Sequence, residues 1–268
     1  MKDSIFNYFD IISTHDYIAH IYNNNSERYE IASRFISDGL KNKETCIMVN
    51  DSNTPEELIA RLKITDIDFK KGLRNKSISE VNIIDNSTNG KIFNDPLKSI
   101  KKELDLLSKK KKTSNFRILY SYIPSITDIN DNYQFYLQAN LNIIASENPV
   151  IFLNQFDISR INSKFLLNVF KTHPIIIEEN SVYKSSLYTN PKEIISKLDY
   201  EKSRLDSLSS QEIKVLTFIV SGLSNRNIAK ELSISIRTVE SHRYNLMKKL
   251  NLKNTVDLIK FALKNGIY

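Results

Sequence analysis

Between Ser224 and Leu250 the chain sets Arg237, Ser241, Tyr244 and Lys248 in a row, at spacings of four, three and four residues. Residues so spaced share one face of an α-helix. The row therefore presents two cations, a hydroxyl and a phenol together, groups that bond to base edges or neutralise phosphates. The other side of the same helix is apolar, with Val239, Leu246 and Leu250. Ahead of it, Ile228, Ala229 and Leu232 give a preceding helix its own apolar face. Ser233–Ile234–Ser235 interrupts the period, and Ser235 is a good cap for the second helix because its hydroxyl can accept an orphan amide. Two helices on a tight polar turn, the second with an outward polar row, is how a recognition helix meets the major groove of DNA. The solvated face of an ordinary bundle has the same polarity, so the flanking elements must decide.

Upstream, Leu208 to Gly222 reads as a helix with capping-box spacing at Ser209 and Glu212 and a glycine suited to the C′ position. Downstream, Asn254 to Gly266 reads as a fourth helix with Val256, Ile259 and Leu263 inward. With these flanks the segment closely resembles the LuxR/FixJ-type four-helix DNA-binding domain. The resemblance rests on Leu208–Ser209, Glu212, Val215–Leu216, Gly222–Leu223–Ser224–Asn225, Ile228–Ala229, Leu232, Ile234–Ser235, Thr238–Val239, His242, Asn245 and Lys249–Leu250. It implies that Glu240, Ser241 and Tyr244 reach base edges, Glu240 accepting from a cytosine amino group. It also implies that Arg237, Thr238, Arg243 and Lys248 hold phosphates. The family often has lysine where Glu240 stands, so a different base preference is expected there.

Charge follows the same division. Of a net +7 over 268 residues, residues 205–268 hold ten Lys/Arg against five Asp/Glu, and the remainder is nearly balanced. Basicity gathered on the helical end fits a phosphate-facing module with salt-sensitive affinity for double-stranded DNA. A single cysteine, Cys46, excludes an intramolecular disulfide. With no signal-like N-terminus and no apolar run of membrane-spanning length, a cytoplasmic protein without membrane association is expected.

Residues 1–185 alternate strand and helix patterns. Strands are expected at Tyr17–Tyr22, Thr45–Val49, Val81–Asp85, Phe116–Tyr122, Val150–Leu153 and Ile175–Ile177. Helices are expected from a Ser26 cap to Lys41, from a Thr54–Glu57 capping box through Leu62, from Asn94 to Lys112, over 131–147 and over 159–171. The expected fold class is α/β, a mostly parallel sheet with helices on both faces, plus a small all-α four-helix helix-turn-helix domain at 205–268. A polar, weakly helical linker over 186–204 joins them and is compatible with a dimer-forming helix.

Several chemistries are excluded for the first domain. Its phosphate-binding potential is low, because the five glycines stand apart at 39, 72, 90, 222 and 266 and none forms a phosphate loop. A phosphoacceptor receiver needs an acidic pair after its first strand, where this chain has Asn23–Asn24–Asn25. The tryptophan that acyl-homoserine-lactone sensors use is missing from the whole sequence. His15, His20, His173 and Cys46 have no metal-ligand spacing, and no catalytic triad spacing is seen, so neither a metal, a cofactor nor an enzymatic activity is expected.

The order of pieces resembles the MEDS sensory domain of DcmR-like regulators. The resemblance lies in Tyr17–Tyr22, Gly39–Val49, Gln155–Phe156–Asp157 and Leu166–Ile176. It implies a RecA-like sheet without its phosphate loop that senses small organic compounds. The family usually opens its first strand with histidine where this chain has Tyr17. Eleven of thirteen tyrosines and eleven of thirteen phenylalanines fall in the first 204 residues. Such aromatics suit an organic ligand, an ordinary core or a partner-protein surface. The candidate ligand residues are Tyr17, His20, Tyr22, Tyr120 and Tyr122. The expected whole is a one-component homodimeric transcription regulator controlled by a ligand or a partner protein.

Overall fold

The structure, a computed structural model, describes residues 12–51, 54–85, 92–111, 115–121, 131–179 and 181–267. The chain divides between Ile195 and Ser196 into two compact units.

The first unit is a seven-stranded sheet in the order β3-β2-β6-β7-β1-β8-β9. Its strands are β1 (Tyr17–Tyr22), β2 (Thr45–Asn50), β3 (Ile78–Asn82), β6 (Phe116–Ser121), β7 (Val150–Asp157), β8 (Ile175–Glu178) and β9 (Ser181–Lys184). All neighbours are parallel except β8 and β9. Two short strands, β4 (Ile84–Asp85) and β5 (Ile92–Phe93), pair separately and antiparallel. The expected α/β class with helices on both faces is what the chain adopts.

Register explains how both faces are covered. Ile47, Ile118, Phe152 and Tyr17 are neighbours across β2, β6, β7 and β1 and so share a face. They pack with Ile100, Leu104 and Leu107 of α4 (Pro96–Lys111) and with Leu137, Leu141 and Ile144 of α5 (Asp131–Glu147). One residue further along, Met48, Leu119, Leu153 and Ile18 form the opposite row. That row meets Ile31, Phe35 and Ile36 of α1 (Asn25–Lys41), Leu58 and Leu62 of α2 (Glu56–Ile64) and Phe69 of α3 (Phe69–Asn75). Helix α6 (Ser163–Thr172) completes the first face, setting Phe165 and Val169 against Ala19, Ile21, Phe156 and Ile176. Because both faces are apolar, the inner strands read as continuous hydrophobic runs.

Several boundaries differ from expectation. The third strand starts at Ile78 and ends at Asn82, and Ile84–Asp85 turns away to pair with β5. Helix α1 is capped by Asn24, whose side chain accepts from Glu27 N at 2.9 Å, and not by Ser26. Thr54 does not cap α2, because its hydroxyl and amide both turn to Glu80. The expected helix over 159–171 is a 3-10 turn at Ile158–Arg160 followed by α6, which Asn162 caps through Phe165 N at 2.8 Å. Strand β9 is not among the strands expected from the sequence. It is a largely exposed edge strand, where apolar periodicity is weak.

The second unit contains the end of α7 (Pro191–Asp206) and helices α8 (Ser210–Val220), α9 (Asn225–Glu231), α10 (Ile236–Lys249) and α11 (Thr255–Lys264). Each of the last four opens on a side-chain cap, from Ser209, Ser224, Ser235 and Asn254 respectively. Each also closes on a Schellman pair, such as Leu223 N to Phe218 O and Gly222 N to Ile219 O, both 3.0 Å. The left-handed residue of that motif is Gly222 after α8, Ser233 after α9, Asn251 after α10 and Gly266 after α11. Their core joins Val215, Leu216, Ile228, Val239, Leu246, Leu250, Leu258, Phe261 and Ala262. The inward face of α11 corrects the expectation. Val256 and Leu263 are 59% and 52% exposed, while Leu258, Phe261 and Ala262 point in. Two apolar registers compete on that helix, and the one carrying the phenylalanine buries more area.

Candidate functional site

Helix α10 is held at both ends. At its start Ser235 Oγ accepts from Thr238 N at 3.0 Å and bonds Thr238 Oγ1 at 2.8 Å. At its end Lys249 Nζ donates to Glu212 Oε2 at 2.7 Å and to the Ser207 carbonyl at 3.0 Å. The Arg204 guanidinium, lying 4.6 Å over the Phe261 ring, donates to the Leu250 carbonyl. Val239, Leu246 and Leu250 are fully buried. That burial fixes the rotation of the helix and turns the opposite face to solvent.

The solvent face holds the whole expected row. Arg237, Glu240, Ser241, Tyr244 and Lys248 are exposed, Tyr244 at 62%. Arg237, Glu240, Ser241 and Tyr244, together with Asn245, line one shallow depression. Asn245 was not among the candidates, although its place four residues after Ser241 on the same face was the available signal. The Ser241 hydroxyl donates back to the Arg237 carbonyl at 3.0 Å. Two candidates sit differently. Thr238 is half-buried against its own cap, and half-buried Arg243 reaches sideways, its Nη2 donating to Thr255 Oγ1 at 2.9 Å.

The candidate ligand residues do not form one pocket. Tyr17 and Tyr120 lie in the core on the α5 side of the sheet, 0% and 2% exposed. The Tyr17 hydroxyl donates to Gln138 Oε1 at 2.7 Å. His20 and Tyr22 alternate with Tyr17 along β1 and so point to the α1 side, their ring centroids 5.7 Å apart. Gln155 Nε2 donates to His20 Nδ1 at 3.0 Å and to the Arg28 carbonyl at 2.8 Å. The Arg28 guanidinium lies 5.5 Å over the Tyr22 ring. Burial pushes the His20 pKa down, partly offset by Glu27, whose Oε1 lies 3.6 Å from His20 Nε2. Tyr122 falls outside the described residues.

Other chemistry is poorly provided for. Cys46 is fully buried, and burial pushes its thiol up to about 12, well away from nucleophile territory. Among the described residues no three His, Cys, Asp or Glu side chains are grouped to hold a metal ion. No described helix is long and apolar enough to cross a membrane.

Comparison with known proteins agrees with this division. Residues 16–174 match the MEDS family, the MEthanogen/methylotroph, DcmR Sensory domain. Residues 206–262 match the luxR family of bacterial regulatory proteins. Among curated relatives, oxygen regulatory protein NreC of Staphylococcus carnosus is 30% identical over 114 residues, 38% of this chain and 52% of that protein. The DNA-binding transcriptional activator EvgA of Escherichia coli K12 is 41% identical over 73 residues, 27% of this chain and 36% of that protein. Transcriptional regulatory protein FixJ of Rhizobium meliloti is 46% identical over 65 residues, 24% and 32% of the two chains. The chain thus spans about half or less of the length of these relatives. Among solved structures, the response regulator StyR aligns over 82% of this chain and 99% of its own, at TM-score 0.31 and 18% identity. The KaiC-like protein PH0186 of Pyrococcus horikoshii aligns over 62% and 71%, at TM-score 0.45 and 16% identity. The chain belongs to the MEDS sensory-domain family and carries a luxR-family regulatory domain at its C-terminal end.

Proposed function

We propose that this protein is a one-component, sequence-specific DNA-binding transcription regulator whose first domain senses a small organic ligand and controls the C-terminal helix-turn-helix. The observation that carries the DNA reading is the capped helix α10, with Arg237, Glu240, Ser241, Tyr244, Asn245 and Lys248 exposed on one side and Val239, Leu246 and Leu250 buried on the other. Glu240, Ser241 and Tyr244 read base edges in the major groove, while Arg237 and Lys248 hold phosphates. Thr238 and Arg243 act at the flanks, where a phosphate would have to share the Arg243 guanidinium with Thr255. Two copies acting as a homodimer would read two half-sites.

The test is selection of bound sequences from random duplexes by the full-length protein, followed by titration over a salt series. A recovered motif and a falling log affinity with log salt support the reading. Failure to bind any duplex at low ionic strength overturns it. The control of that binding is measured in the same titration. A shift on adding a small organic molecule supports ligand sensing, and a shift seen only with a partner protein overturns it.

A further inference from the structure

On helix α5, Gln134, Gln138 and Asn142 recur every four residues and are only 3%, 2% and 4% exposed. That spacing sets them on one face, and Gln138 meets β1 there through the Tyr17 hydroxyl. Asn142 is satisfied, its Nδ2 donating to the Thr172 carbonyl at 2.7 Å. The other two are not. Gln138 Oε1 accepts from Tyr17, which leaves Gln138 Nε2 without a partner, and Gln134 Oε1 has none either. On the sheet, fully buried Asn154 donates from Nδ2 to the Ile18 carbonyl at 3.4 Å while its Oδ1 is unpaired. Fully buried His173 stacks on the Tyr17 ring at 4.4 Å and 14°. Its Nδ1 donates to the Val169 carbonyl at 2.9 Å, so its Nε2 is an acceptor, also unpaired.

Buried polar groups are nearly always paired. Here Gln138, Asn154 and His173 all touch one tyrosine, and Gln134 stands one helical turn away. The group is electrically neutral. Burial, then Tyr120 and Tyr188, push the Tyr17 phenol up, with no charged side chain acting on it among the described residues. Burial pushes His173 down to about 3, so its ring is uncharged. Phe152 lies 5.6 Å from Tyr17 and Phe156 lies 5.4 Å from His173. An ionised ligand would meet no counter-charge there, and a pure hydrocarbon would leave every polar atom unpaired. Three acceptors and one donor suit a molecule that itself carries O–H or N–H.

We propose that Gln134, Gln138, Asn154 and His173, set about Tyr17, bind a small uncharged organic molecule with a hydroxyl or primary amide, its carbon skeleton lying against Phe152 and Phe156. The proposal rests on the ligand-sensing reading above and fixes where the signal binds and what chemistry it has. Helix α5 follows β6 and runs back to the start of β7, so Gln134 lies nearest the carboxyl ends of the strands, where sheets of this kind admit ligands.

The test melts the full-length protein, followed by tyrosine fluorescence, with n-butanol, butyramide, methyl ethyl ketone, butyrate and n-butylammonium as size-matched probes. The expected result is a saturable rise in melting temperature with n-butanol or butyramide, a weaker one with the ketone and none with the two ions. Gln134→Met removes one unpaired acceptor without disturbing Tyr17, and it should weaken probe binding about tenfold while DNA affinity at low salt is kept. No saturable response to any neutral probe, an equal response to butyrate, or an unchanged response in Gln134→Met overturns the site. Native mass spectrometry of the full chain separates the two claims. A retained small molecule that persists in both Gln134→Met and Gln138→Met overturns this site while ligand sensing stands. Probe binding that leaves DNA affinity unaltered supports the site and overturns its control of DNA binding.

Discussion

Lys249, in the last turn of α10, places Nζ 2.7 Å from Oε2 of Glu212, in the first turn of α8. Glu212 is also the acceptor for the Ser209 amide and hydroxyl, so one buried carboxylate both caps α8 and anchors the far end of α10. Burial by itself would raise its pKa, but the bonds from Lys249 and Ser209 outweigh it and hold the group below the ordinary 4.5. A depressed carboxylate contributes stability above its unfolded pKa and loses it as pH falls through the folded value. Glu212→Ala should destabilise the second unit by about 1–2 kcal/mol, as loss of a helix cap does. Glu212→Gln, which keeps the cap but not the charge, should cost less. Urea melts at neutral pH and below pH 4 check this. The deficit of Glu212→Gln should shrink in acid.

Tyr244 and Lys248 are predicted to fail in different ways on DNA. Tyr244→Ala should lose about 1–3 kcal/mol of preference for the selected site over a one-base variant. Lys248→Ala should weaken selected and random duplexes alike and flatten the salt slope by about one unit. Anisotropy titrations on both duplexes at several salt concentrations read both effects. Equal losses on the two duplexes for Tyr244→Ala would contradict its role at a base.

Glu240 lines the same depression as Tyr244 and, among the described residues, forms no ion pair. As an acceptor-only group in the proposed base-reading row it would select a cytosine amino donor, whereas lysine would select the guanine acceptors. Glu240→Lys should therefore exchange cytosine for guanine at one position of the selected site. It should also raise affinity for random DNA through the added positive charge. Sequencing of duplexes selected by the two proteins decides the matter.

Gly39 inverts the usual rule for a glycine inside a helix. Alanine ordinarily stabilises such a position by roughly 0.5–1 kcal/mol. Here a Cβ would stand 2.6 Å from Cδ of Arg117 and 3.0 Å from Sγ of Cys46. Arg117 is only 1% exposed and is fixed by Glu44 and by the Phe35 carbonyl, to which Nη1 donates at 2.9 Å, so it has little room to yield. Gly39→Ala should cost about 1–3 kcal/mol, the usual penalty of overpacking. Thermal melting of the full chain gives the sign directly.

His173 makes the first unit acid-sensitive. Burial holds its pKa down to about 3, against 6.5 for an ordinary imidazole. Below pH 6.5 the unfolded chain gains a proton that the folded one refuses, so stability falls as pH falls. The slope from this residue is at most about 1.4 kcal/mol per pH unit, and His20, also depressed by burial, acts in the same direction. Urea unfolding between pH 7 and pH 5 should show the loss, and His173→Phe should reduce the slope.

The sequence by itself determined what depends on near neighbours in the chain. Ser209, Ser224 and Ser235 each sit just ahead of an apolar period, and Gly222 just after one. Such residues bond within three or four positions of themselves, so the four C-terminal helices were legible from spacing alone. The outward row from Arg237 to Lys248 was legible for the same reason, since one helix fixes which of its residues share a face. Tertiary structure decided the rest, because burial is settled by what arrives from far along the chain. Both registers of α11 were open to the pattern, and packing chose Phe261 over Leu263. Tyr17 met Gln138 and His173 only through contacts between residues distant in sequence. Gln134 and Gln138 looked like ordinary polar helix residues until the sheet closed over them.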